Sequence, residues 1–98
     1  MTNYDLTPEA AEDLYKIWEY TVDTWSETQA DKYYTQLIAA FKEISSHPDT
    51  TGKQYNLIYP GLRGYHAGKH IVFFVKERCG RLLIVRILHE KMDYQRHL

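Results

Sequence analysis

In the first half of the chain apolar residues recur with a helical period. After Thr7-Pro8-Glu9, the residues Leu14, Ile17, Trp18, Thr21 and Trp25 follow an i, i+3, i+4, i+7, i+11 spacing, which is one buried stripe on a helix. Thr7 suits the N-cap and Pro8 the first helical position, where a missing N–H does no harm. A helix is therefore predicted from there to about Trp25, with Glu12, Asp13, Glu19 and Asp23 off the stripe and toward water. Ser26-Glu27-Thr28-Gln29 reads as a capping box and starts a second helix at once. Its stripe is Ala30, Tyr33, Tyr34, Leu37, Ile38, Phe41 and Ile44, and Ser45-Ser46-His47-Pro48 ends it. Two helices joined so closely form an antiparallel hairpin.

The period then changes from helical to alternating. Residues 47–61 read as a polar loop with Pro48, Gly52, Pro60 and Gly61. Residues 70–76 and 82–88 are rich in β-branched and aromatic side chains and flank a Cys79-Gly80 turn. Residues 62–67 form a weaker strand ahead of the Gly68-Lys69 turn, and residues 3–6 alternate as a short strand does. The predicted order is β-α-α-β-β-β: an α+β fold in a single domain, 1–98, with the helical hairpin packed on one face of a small antiparallel sheet. Strand parity sends Leu83, Val85 and Ile87 toward the helices and Leu82, Ile84, Arg86 and Leu88 to the face they leave open. That face is too apolar to stay bare. Either a partner covers it or the C-terminal tail, residues 89–98, folds back over it.

Overall composition adds little, but its distribution along the chain adds a great deal. The net charge is −1. Residues 1–49 carry three lysines against ten acids, whereas residues 50–98 carry nine Lys and Arg against three acids and hold four of the five histidines. The halves either neutralise each other within one fold or offer the basic half to an acidic partner, nucleic acid or an acidic protein segment. Cys79 is the only cysteine, so no internal disulfide is expected. With no apolar leader and no run near the ~20 apolar residues that span a bilayer, the expectation is a soluble, cytoplasmic protein without membrane contact.

Familiar catalytic signatures are missing. No GxGxxG, GxxxxGK[ST] or GxSxG occurs, and the serines read as caps. His66 and His70 flank a turn, so neither a metal nor a cofactor is expected. What remains is a basic set: Lys53, Arg63, His66, Lys69, Arg86, His89, Lys91 and Arg96, with Tyr65 and Tyr94. Such residues bind phosphates and could support RNA cleavage through a 2′-hydroxyl. They are equally what a solvated basic sheet edge carries. Lys69 and Lys76 read as edge lysines; Arg86, among aliphatics, reads as a partner contact.

At these residues a family resemblance emerges. Tyr4-Asp5-Leu6-Thr7-Pro8-Glu9-Ala10, then Asp13-Leu14 with Ile17-Trp18-Glu19-Tyr20-Thr21, resemble the start of ParE toxins in the ParE/RelE superfamily. Gly61-Leu62-Arg63 through His70-Ile71-Val72-Phe73-Phe74 fits the family's central strands, and Val85-Arg86-Ile87-Leu88-His89-Glu90-Lys91-Met92-Asp93 is similar to its most specific segment. The resemblance implies the toxin of a type II toxin–antitoxin system that inhibits DNA gyrase and is neutralised by a cognate antitoxin, a small DNA-binding protein with an acidic, apolar tail. Contact with DNA would be indirect, through antitoxin or gyrase. Arg63, Ile84, Arg86 and Leu88 are the expected antitoxin contacts, and His89, Lys91, Met92 and Tyr94 the expected target contacts. RelE-like relatives instead cut mRNA on the ribosome. Arg63, Arg86, His89, Lys91 and Tyr94 would then cradle the scissile phosphate, although the dense lysine set of those nucleases is thin here. A third alternative is a binding module that has lost toxicity.

Overall fold

A computed structural model describes residues 4–98. The chain runs β1 (Tyr4–Leu6), α1 (Pro8–Thr24), α2 (Glu27–Ser46), β2 (Lys53–Gln54), β3 (Arg63–Ala67), β4 (His70–Lys76), β5 (Leu82–His89) and a 3₁₀ turn (Tyr94–Arg96). Asn3, expected to open the first strand, lies outside the described residues. Both helix starts follow local chemistry. Thr7 Oγ1 accepts the Ala10 N–H at 3.1 Å and Ser26 Oγ accepts that of Gln29 at 3.0 Å.

The strands form one five-stranded sheet in the order β1-β5-β4-β3-β2. The sheet is mixed rather than antiparallel, because β1 lies parallel to β5, with Tyr4, Asp5 and Leu6 beside Leu82, Leu83 and Ile84. Thr7 prolongs this pairing: its N–H donates to the Ile84 carbonyl at 3.0 Å and its hydroxyl to the Val85 carbonyl at 2.7 Å. One threonine thus closes the strand edge and opens the helix. The short β2 arises within the stretch expected to be loop, where two residues pair with Arg63 and Gly64.

The helical hairpin covers one sheet face. Leu37, Phe41 and Ile44 of α2 meet Val72, Phe74, Leu82, Ile84 and Ile87 in the main core, all 2% exposed or less. Tyr4 stands edge-on to Phe41, ring centres 5.4 Å apart. The parity expected for β5 is overturned by a bulge. Phe73 pairs with Arg86 but Phe74 with Ile84, which leaves Val85 as an extra residue. The extra residue reverses the alternation. Leu82 and Ile84 face the helices before it, and Ile87 does so after it. Leu83 and Val85 stay half-exposed instead of entering the core. A second departure is Trp25. It falls on the predicted stripe but is 74% exposed, because α1 stops at Thr24 and Trp25 only caps it, its N–H donating to the Thr21 carbonyl.

The opposite face holds a smaller cluster: buried Leu62, Phe73 and Leu88, flanked by Tyr55, Ile58, Ile71, Val75, Tyr94 and Leu98. Tyr94 stands edge-on to Tyr55, ring centres 5.5 Å apart, and 5.6 Å from Phe73. Of the two covers expected for this face, the tail is present: it folds back across the cluster.

Candidate functional site

Most of the residues singled out from sequence lie on the open face or at the end of β5. Both arginines among the expected contacts, Arg63 and Arg86, are already engaged. Arg86 does not wait for a partner's carboxylate. Its Nε and Nη2 donate to the two oxygens of Asp13 at 2.7 and 3.0 Å, and Nη1 donates to the His97 carbonyl at 3.1 Å. The side chains of Arg86 and Asp13 are 22% and 13% exposed, so the pair is largely desolvated. The adjacent carboxylate pushes the Arg86 guanidinium still further above its ordinary value, keeping it charged. Asp13, expected to face water, also accepts the Ile87 N–H at 3.1 Å. That N–H lies on the edge of β5 beyond the reach of β1, so one carboxylate blunts a sheet edge and holds the arginine.

Arg63 is engaged as well, its Nε donating to the Thr51 carbonyl at 3.0 Å and Nη2 to the Gly52 carbonyl at 3.1 Å. It thereby anchors the loop between α2 and β2. Leu88 lies on the open face as expected, but under the tail. Ile84 does not: it is fully buried beneath the helices, because the bulge follows it. Tyr94 sits in the aromatic lid, whereas Lys91 and Met92 are exposed.

A polar network that sequence reading missed lies at the end of β5. The Tyr33 hydroxyl, from α2, accepts the Lys69 N–H at 3.0 Å. It sits 2.6 Å from His70 Nδ1 and 3.2 Å from the Ala67 carbonyl. Burial, reinforced by the neighbouring His89, pushes His70 down to about 4, so its ring is neutral near pH 7 and its tautomer decides which partner donates across the contact with Tyr33. Burial likewise pushes the Tyr33 phenol up. Gly68 makes this approach possible. It has φ +62°, and a Cβ there would lie 2.6 Å from the Tyr33 ring. His66 pairs with Glu90 at 2.7 Å, and His89 Nδ1 accepts the Lys91 N–H at 3.1 Å. Among the described residues no three His, Cys, Asp or Glu side chains meet as a metal would require. The hydrogen-bonding hint was the Gly68-Lys69 turn itself; Tyr33, taken as part of an apolar stripe, gave no sign of its partner.

Of the five residues that the nuclease alternative would use, Arg63 and Arg86 are held by hydrogen bonds within the chain, Tyr94 packs in the aromatic cluster, and His89 and Lys91 lie at the end of β5 and just beyond it.

Residues 4–94 match the family described as ParE toxin of type II toxin-antitoxin system, parDE. The chain belongs to the ParE toxin family. It is 35% identical over 97 residues to Toxin ParE1 of Mycobacterium tuberculosis, covering 99% of this chain and 98% of that one. It is 36% identical over 99 residues to Toxin ParE1 of Caulobacter vibrioides, covering 100% and 99%. A solved structure titled "Chromosomal ParDE TA system from P. aeruginosa" superposes with a TM-score of 0.79 at 21% identity, covering 91% of this chain and 96% of that one; at that identity the likeness establishes the shared fold. As a toxin of a parDE system, the chain has a cognate antitoxin as its partner. No helix among the described residues is long and apolar enough to cross a membrane.

Proposed function

We propose that the chain inhibits DNA gyrase in the cytoplasm by direct contact rather than by catalysis, and that its antitoxin silences it by replacing the C-terminal tail on the open face of the sheet. The supporting observation is the state of Arg63 and Arg86. A phosphodiester-cleaving site needs such cations aimed at the phosphate, yet these two are held by backbone carbonyls and by Asp13. The gyrase contact is assigned to His89, Lys91, Met92 and Tyr94, which follow one another at the exposed end of β5 and into the tail.

The antitoxin contact is assigned to Arg63, Arg86 and Leu88. The acidic, apolar antitoxin tail fits there because it can supply what this chain's own tail now supplies: a carbonyl or carboxylate for Arg86 Nη1 and apolar cover for Leu62, Phe73 and Leu88. Ile84 drops out of this surface because it is buried.

The test is a supercoiling assay with purified gyrase and graded toxin. Loss of supercoiling or trapped cleaved DNA, relieved by antitoxin, is the expected result. No effect at large excess over gyrase, with codon-linked mRNA ends appearing after induced expression, would replace this reading with ribosome-dependent cleavage. Normal growth without antitoxin would identify a module that has lost toxicity.

A further inference from the structure

The outer seam of the helical hairpin takes no part in the surfaces assigned above. There, Ala11, Leu14, Tyr15 and Trp18 of α1 and Asp31 and Tyr34 of α2 line an open hollow of about 420 Å³. Trp18 forms its half-buried floor, and its indole Nε1 donates to Asp31 Oδ1 at 3.2 Å, which fixes the ring plane. Tyr15 and Tyr34 form walls that are 60% and 43% exposed. What singles these side chains out is that they are contiguous around one concave hollow, the arrangement that marks interaction surfaces, rather than scattered singly.

The one charged side chain lining the hollow, Asp31, is acidic. The two helices carry eight acids against three lysines and no arginine. Glu12 is matched by Lys16 at 2.9 Å and Asp13 by Arg86. Among the described residues no cation comes within ion-pair reach of Glu19, Asp23, Glu27 or Asp31. Glu19 stands one helical turn from Tyr15, and Asp31 borders the hollow itself.

We propose that this seam is a docking groove for a basic amphipathic segment of a partner protein. An aliphatic side chain of that segment fills the hollow over Trp18. Its arginines or lysines lie against the faces of Tyr15 and Tyr34, where cation–π attraction adds to the pull of Glu19 and Asp31. Charge complementarity decides the occupant, since an acidic antitoxin tail would be repelled here. The two surfaces lie on opposite sides of the molecule, so this partner and the antitoxin can bind together. The inference stands apart from the gyrase reading and needs neither gyrase nor ribosome for its test.

The probe is a labelled amphipathic peptide with arginine and leucine at helical spacing, compared with the same peptide carrying glutamate at every arginine. Anisotropy titration of the full chain, alone and saturated with antitoxin, should show binding of the basic peptide only, undiminished by antitoxin. In a Trp25→Phe background, Trp18 emission should shift on binding. Tyr15→Ala with Tyr34→Ala should weaken binding about tenfold or more, and Glu19→Lys about threefold to tenfold, as loss of a cation–π pair or a rim charge implies. Unchanged circular dichroism and antitoxin affinity would show that these variants are folded. Equal binding of both peptides, or affinity unmoved by the paired tyrosine change, would overturn the proposal, as would displacement of the peptide by antitoxin. Self-association through the seam without peptide binding would make the occupant a second copy and would overturn it too.

Discussion

The two faces of the sheet are both apolar at their centres, but they are closed by different means. On one face, α1 and α2 cover Val72, Phe74, Ile84 and Ile87, and Phe41 fills the middle. On the other, Leu62, Phe73 and Leu88 are covered by aromatic side chains and a tail whose only regular element is three residues of 3₁₀ turn. A helix pair brings many apolar contacts and satisfies its own backbone. A tail brings a few contacts and depends on single hydrogen bonds, such as that from Arg86 to the His97 carbonyl. The first closure is permanent for a folded chain. The second is the kind a competing segment can replace.

The largest effect that tests this contrast is on the helix side. Phe41→Ala should cost about 4 kcal/mol, as expected for truncating a fully buried ring, read from the urea midpoint. If Tyr94→Ala on the tail side cost as much, the two closures would be equivalent and the contrast would fail. Next is the ion pair that joins helix α1 to the open face. Asp13→Asn leaves Arg86 charged and poorly paired, and should cost about 3 kcal/mol. Combined with Arg86→Met it should cost less than the sum of the two single changes. Strict additivity in that double-mutant cycle would mean the pair is not coupled.

A third effect of similar or smaller size depends on pH. His70 has a folded value of about 4 against an ordinary 6.5, so between those limits the unfolded chain binds more protons. Stability therefore rises with pH through that window and is lost as pH falls from 6.5 toward 4, by up to about 2 kcal/mol once solvent screening of this incompletely buried ring is allowed for. His70→Gln should flatten this part of the profile, and an unchanged slope would point to another group. Tyr33, His89, Glu90 and Asp13 are the neighbours whose charge or hydrogen bonding also acts on His70. The smallest effect is on the tail. Deleting residues 94–98 should cost only about 1–2 kcal/mol, the scale of half-buried aromatic and aliphatic cover, yet raise antitoxin affinity because nothing has to be displaced. Calorimetric titration with antitoxin checks this, and weaker binding would mean the tail belongs to the contact rather than blocking it.

Local signals carried much of the fold. Thr7 and Ser26 cap helices as expected because a cap joins residues three apart, and β4 has the bounds its β-branched run suggested. The candidate site was legible only as a set of residue types. Arg86 was singled out for lying among aliphatics, but its partner Asp13 is 73 positions away, on the polar side of a helix stripe. Nothing in the neighbourhood of either residue marks the pair. Ile84 was misplaced for a related reason: one extra residue at Val85 reverses the alternation, and a bulge leaves no distinctive residue type behind.

From its sequence alone this protein was determined to be two capped helices followed by strong strands, acidic in its first half and basic in its second, with the motifs of a toxin family. Periodicity and capping act over a few residues, so one chain read linearly suffices for them. Tertiary structure decided that β1 runs parallel to β5, that the bulge turns Ile84 inward, that Asp13 claims Arg86, and that the tail closes the open face. Each of these is a contact between distant segments, set by which surfaces must be buried together once the helices have taken their side of the sheet.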